Sequence, residues 1–178
     1  MEIGFKIIDT AIDFCVDWTN DELETIFDQI KKSYEFYITR IDEYGMERFH
    51  WSFIDELKNS VKEKKKFYSC GAGIVSLYVK INGDFYACPS CFDSRMKLGN
   101  IYTGYDIEKI NFLKKVDTLN NKCNSCKLFS VCGAKGCLVL NLSSNNDMSI
   151  PNYALCSIEK FMYNFYQSKY SHTEVQHD

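Results

Sequence analysis

The spacing of apolar residues divides the chain into two stretches with different periodicities. Near the start, Phe5, Ile7, Ile8, Ile12 and Phe14 are interleaved with polar residues at near-alternating spacing, which predicts a short strand. Thr19 and Glu22 then form a capping-box pair, in which Thr19 caps a helix and Glu22 reaches back to it. Leu23, Ile26, Phe27, Ile30, Tyr34, Tyr37, Ile38 and Ile41 recur at steps of three and four, so one long helix with a single apolar face is expected, ending near Gly45. Phe53, Ile54, Leu57 and Val61 predict a second, shorter helix. Lys62, Lys64, Lys65 and Lys66 follow at its end, where they suit the negative pole of a helix and read as a solvated terminus.

From Ser69 onward the helical period stops. Leu77, Val79 and Ile81 alternate with Tyr78 and Lys80, and Asn82-Gly83 supplies two residues that tolerate a tight turn, so Ile74 to Cys88 reads as a hairpin with Phe85 and Ala87 on its return strand. A short helix is expected from Asp106 to Val116, a polar loop over Ser143 to Asp147, and a last helix from Ala154 to Tyr170 that buries Ile158, Phe161, Met162 and Phe165. The fold class expected is α+β: a helical segment over residues 1–66, a cysteine-rich module over 67–170, and a tail over 171–178 that should fray.

Composition narrows the function. The chain has 178 residues, enough to bury its own core, and 46% apolar against 25% charged residues is an ordinary globular balance. With 21 basic and 24 acidic side chains there is no positive excess to grip phosphate, so nucleic acid is not an expected partner. No apolar run is long enough to cross a bilayer, and MEIGFKIIDT lacks the features of a secretion signal, so a cytoplasmic protein without membrane insertion is expected.

The unusual number is nine cysteines, eight of them between Cys70 and Cys156. Cys123-Asn-Ser-Cys126 and Cys88-Pro-Ser-Cys91 each place two sulfurs across a tight turn, the spacing used to hold zinc and iron–sulfur centres. Cys132, Cys137 and Cys156 bring the total to two sets of four. Spacing alone leaves zinc and iron–sulfur open, with disulfides third because nothing points to an oxidising compartment. His50, His172 and His177 lie outside the cysteine block and form no Cys2His2 pattern, and Cys15, which stands alone, is expected to serve as a small buried apolar residue.

The cysteine spacings resemble the SPASM module, the auxiliary-cluster domain of radical S-adenosylmethionine enzymes that mature peptides. The family pattern is Cys, nine to fifteen residues, Gly, four residues, Cys; then Cys-x2-Cys-x5-Cys-x3-Cys; then a final Cys. Here twelve residues separate Cys70 from Gly83 and four separate Gly83 from Cys88. Cys123, Cys126 and Cys132 keep the two- and five-residue gaps, Cys137 follows after four residues where the family has three, and Cys156 closes the set. The CGAG at Cys70 and the KLGNI around Gly99 also look like the family. The match covers about half of the chain.

The resemblance implies two interleaved 4Fe–4S clusters. The first would take Cys70, Cys88 and Cys137, with Cys91 as either its fourth ligand or a bystander. The second would take Cys123, Cys126, Cys132 and Cys156. It further implies a ribosomal precursor peptide as partner, and a radical S-adenosylmethionine barrel elsewhere or in another chain. The Cys-x3-Cys-x2-Cys motif of that barrel does not occur here, so whether the chain acts as an enzyme stays open; alone it is not expected to cleave S-adenosylmethionine. Residues 1–66 resemble the end of the barrel and its bridge. The rival reading is a non-enzymatic interaction module that holds two zinc ions with the same thiolates.

Overall fold

A computed structural model describes residues 7–14, 16–44, 50–51, 53–54, 64, 68, 70–116 and 122–170. The class is α+β. The chain divides into two compact units, residues 1–63 with 157–178, and residues 64–156.

In the first unit, β1 (Ile7–Ile8) pairs in parallel with β2 (His50–Trp51), in the register Ile7 to His50 and Ile8 to Trp51. Parallel neighbours need a long crossover, and α1 (Asn20–Tyr44) supplies it. The capping box forms: Thr19 N–H donates to Glu22 Oε2 at 2.9 Å and Glu22 N–H donates to Thr19 Oγ1 at 3.3 Å. Leu23, Phe27, Ile30, Tyr34 and Tyr37 are buried at the expected helical spacing. They meet the far end of the last helix, α4 (Tyr153–Tyr170), which is assigned to the first unit from Ser157 onward. Phe27 stacks on Phe161 with ring centroids 4.2 Å apart, and Tyr34 meets Phe165 edge-on at 5.0 Å. Each such pair contributes about 0.5–1.5 kcal/mol beyond burial. The Tyr34 and Tyr170 hydroxyls are 2.9 Å apart, and Trp51 Nε1–H donates to Thr10 Oγ1 at 3.0 Å.

Three expectations for this unit need adjustment. The opening strand is only Ile7–Ile8; Ile12 and Phe14 follow in a loop, and Phe5 lies outside the described residues. The strand His50–Trp51 had no sequence signal, because two residues are too few for a period. Of the second helix, Phe53 and Ile54 are helical, while Leu57, Val61, Lys62, Lys65 and Lys66 lie outside the described residues.

The second unit is built on a four-stranded antiparallel sheet in the order β3 (Tyr78–Val79), β4 (Asp84–Tyr86), β5 (Lys97–Asn100), β6 (Gly104–Tyr105). The hairpin forms as expected, with Tyr78 opposite Tyr86 and Val79 opposite Phe85, closed by Gly83 N–H to Lys80 O at 2.8 Å. β5 and β6 extend it beyond the two strands read from the sequence. α2 (Ile107–Leu113) follows, its first turn capped by Asp106 Oδ1, which accepts from Lys109 N–H at 3.1 Å. α3 (Leu138–Asn145) runs through Ser143 to Asn145, so the polar loop expected from Ser143 is helix up to Asn145. The Ser143 and Ser144 hydroxyls donate back to Leu140 O at 3.1 and 2.6 Å, which satisfies these polar side chains inside the helix. Met96, Leu98, Leu113, Leu138, Val139 and Leu142 form one core beneath the sheet and helices.

Candidate metal centre

The cysteines sit on turns that this core holds in place. Cys70 is exposed, in a turn where Gly71 N–H donates to Tyr68 O at 3.1 Å and the Tyr68 hydroxyl donates to Ala72 O at 2.5 Å. Cys88 follows β4 and is half-buried against the core, one residue beyond Ala87, whose N–H donates to Met96 O at 3.0 Å. Cys137 caps the start of α3, anchored by its own N–H to Ala134 O at 3.1 Å and by Leu138, which is fully buried.

These three cysteines come from separate stretches of chain, yet Cys70 and Cys88 lie within electrostatic range of Cys137. Burial pushes the Cys137 thiol up, the Leu140 amide pulls it partly down, and Cys70 and Cys88 push it up again. The same trio acts on Tyr68: burial first, then Cys70, Cys137 and Cys88, drive its hydroxyl well above the ordinary tyrosine range. Cys91 has a different setting. It is 7% exposed and belongs to the apolar core with Tyr86, Met96 and Leu98. The loop beyond it is pinned by Arg95, which bonds Asp93 and also donates to Asn146 O at 3.1 Å, at the far end of α3.

The second set begins in a short 3-10 turn, Lys122–Ser125, continued by Cys126 N–H to Cys123 O at 2.9 Å. Cys132 N–H closes another turn on Leu128 O at 2.9 Å. Cys156 lies in the first turns of α4, and its N–H donates to Asn152 O at 3.0 Å. Asn141 of α3, 1% exposed, positions that segment: its Nδ2 donates to Met148 O at 2.9 Å and its Oδ1 accepts from Asn152 N–H at 3.0 Å. Cys126 and Cys156 are placed by these backbone turns.

Lys135 lies between the two sets in sequence, in the spacer from Cys132 to Cys137. It is 4% exposed, its Nζ donates to Phe129 O, and the ammonium sits 4.2 Å from the Phe129 ring centroid. Burial pulls its pKa down, while Cys132 and Cys123 push it up. Sequence reading passed over Lys135 and Asn141. A lone long cation among Gly133, Ala134 and Gly136, between two cysteines, was the available signal for the first; nothing marked the second.

None of the eight described cysteines forms a disulfide. Among the described residues, no three Cys, His, Asp or Glu side chains converge tightly enough to enclose a single metal ion. A zinc tetrathiolate has bonds of about 2.3 Å and so draws its sulfurs to within about 4 Å of one another. A four-iron cluster is a larger body that does not require so close an approach, and at the first set Cys70 and Cys88 lie within electrostatic range of Cys137. At the second set, the donor chemistry is all thiol, beside a buried cation. Cys15, His172 and His177 lie outside the described residues, and His50 is on β2. No helix among the described residues is long and apolar enough to cross a membrane.

No protein-family model matches the chain, and no curated protein matches it.

Proposed function

We propose that the cysteine-rich unit is an auxiliary iron–sulfur domain of a radical S-adenosylmethionine peptide maturase, holding two 4Fe–4S clusters. The observation that supports this reading is that Cys70 and Cys88 act electrostatically on Cys137, and all three on Tyr68. These are the three thiols that the SPASM-like spacing assigns to one cluster, and they are separated by up to 67 positions in the chain. The first cluster would be held by these three, with Cys91 left in the apolar core; the second by Cys123, Cys126, Cys132 and Cys156. When bound, such clusters supply one-electron transfer. The chain's own part is to fix the thiolates on braced turns, limit solvent access and present a peptide-facing surface.

The first unit supports the wider reading. A parallel strand pair joined by a helix is the unit from which α/β barrels are repeated, and β1–α1–β2 is one such unit. The catalytic barrel, with its own S-adenosylmethionine cluster, would be supplied by another part of the protein or by another chain, and a ribosomal precursor peptide would be the substrate.

Anaerobic reconstitution with iron and sulfide tests the proposal. The expected product is brown, absorbs broadly near 400 nm, and holds about eight irons and eight sulfides per chain. Colourless protein that takes up about two zinc ions and no sulfide would overturn it in favour of a zinc-binding interaction module.

A further inference from the structure

We infer that the first unit holds a binding site for a small aromatic carboxylate, in a cavity between α1 and the ends of β1 and β2. The inference is carried by that unit alone and goes beyond the auxiliary-cluster reading.

The cavity has a volume of about 320 Å³, which lies in the range of small-molecule sites. Ile8 and Trp51, the last residues of β1 and β2, line it together with side chains of α1. Open parallel sheets hold their ligands outside this end of the strands.

The walls set the shape of the ligand. Tyr37 and Trp51 are buried and meet edge-on, with ring centroids 6.1 Å apart. Trp51 is fixed by its Nε1–H, which donates to Thr10 Oγ1 at 3.0 Å. Half-buried Ile8 and the more exposed ring of Phe36 complete an apolar lining. Such walls favour a flat apolar ring, stacked or edge-on.

The rim sets the charge. Thr10, Lys32 and Ser33 are exposed and line the cavity. Each carries a donor: Lys32 an ammonium, Ser33 a hydroxyl, and Thr10 a hydroxyl that already accepts from Trp51 and keeps its own proton to give. Among the described residues, no carboxylate lines the cavity or pairs with Lys32. Asp28, one turn before it, bonds Lys31 instead at 2.9 Å and feels Lys32 only through space. Aromatic walls can also hold a cation, but Lys32 would repel one, and Arg40 already lies 5.0 Å from the Phe36 ring centroid. Donors around an apolar cavity, with a cation among them, complement a carboxylate attached to a ring.

The test is an NMR titration of the whole chain with hydrocinnamate, read at the two indole N–H resonances. That of Trp51 should move saturably, half-way at about 1 mM or below. That of Trp18, which donates to Asp13 O at 2.6 Å and does not line the cavity, should stay in place. Lys32→Met should weaken hydrocinnamate about two- to fivefold, the scale of an exposed ion pair, and leave the neutral hydrocinnamamide unaffected. Ser33→Phe, a change at an exposed position, should plug the mouth and abolish the response to both. A Trp51 resonance that does not saturate, equal movement of Trp18, tighter binding of benzyltrimethylammonium, equal weakening of acid and amide in Lys32→Met, or undiminished binding in Ser33→Phe would each overturn the inference. Iron and sulfide uptake is measured separately, so none of these outcomes touches the auxiliary-cluster reading, and failure of that uptake leaves this site standing.

Discussion

Replacing Gly99 by alanine should damage the second unit far more than replacing Gly104, although the two glycines lie on paired strands. Gly99 has φ 136°, and a Cβ added there would fall 2.1 Å from Gly104 O and 3.1 Å from Gly104 C and Tyr105 Cα. All three obstacles are main chain, so no side chain can swing aside. Relief requires β5 and β6 to part at the Gly99–Tyr105 pair, directly beside Leu98, which is 1% exposed. Backbone strain costs about 1–3 kcal/mol and forced repacking about 1–3 kcal/mol, so Gly99→Ala should cost about 2–6 kcal/mol. Gly104 has φ 79°, and its added Cβ meets nothing within 4 Å. Only the left-handed backbone remains to be penalised there, about 1–2 kcal/mol.

Both tryptophans, Trp18 and Trp51, belong to the first unit, so their fluorescence would miss this event. Native-state hydrogen exchange reads it directly at two amides, Ala87 N–H, which donates to Met96 O, and Asp106 N–H, which donates to Leu98 O. With about 1.4 kcal/mol per tenfold, these amides should exchange roughly ten- to a hundredfold faster in Gly99→Ala than in Gly104→Ala. Equal exchange in the two variants would refute the clash argument.

Other outcomes follow from the same packing and hydrogen bonds. Cys91→Ala should leave the iron content of the reconstituted protein unchanged and cost stability through the void left in the apolar core, about 1 kcal/mol; iron analysis and thermal unfolding check both halves. Asn141→Ala should cost about 1–3 kcal/mol by removing its bonds to Met148 O and Asn152 N–H, and should lower iron occupancy of the second centre through the segment that leads to Cys156. Hydrogen bonds from Lys97, then Asn100, hold the Asp84 carboxyl below its ordinary range, with Lys97 Nζ 2.6 Å from Oδ1. A depressed folded-state pKa gives stability that is complete above the unfolded value, about pH 4, and is lost as pH falls through the folded value. NMR titration of Asp84 should therefore show a low apparent pKa that rises in Lys97→Met.

What could be read in advance depended on how local each determinant is. α1 was legible because Leu23, Phe27, Ile30, Tyr34 and Tyr37 mark one face and Thr19 with Glu22 marks the start, all within one stretch. The hairpin was legible from its alternation and from Asn82-Gly83. β2 was not, because its two residues acquire strand character only by pairing with Ile7 and Ile8, some forty positions away. β5 and β6 are short and carry glycines, which weaken any strand pattern. The polar run from Ser143 read as a loop because serine and asparagine usually compete with helix; here the Leu140 carbonyl takes up both serine hydroxyls. For the candidate site, spacing marked every cysteine and, through the resemblance it carries, grouped Cys70 and Cys88 with Cys137; that Cys137 lies in the field of the other two is a property of the folded core. Lys135 was invisible for a related reason: lysine is normally a surface residue, and only the packed structure places it inside.

The open position of the Cys70 turn bears on how this molecule ages. Of the eight described cysteines it alone is classed as exposed, and oxidants attack sulfur where they can reach it. A preparation kept in air should spoil from that corner first. Sulfinic and sulfonic adducts would accumulate at Cys70 while the enclosed Cys91 stays reduced, and shelf life would be set by one sulfur at the surface rather than by the stability of the interior.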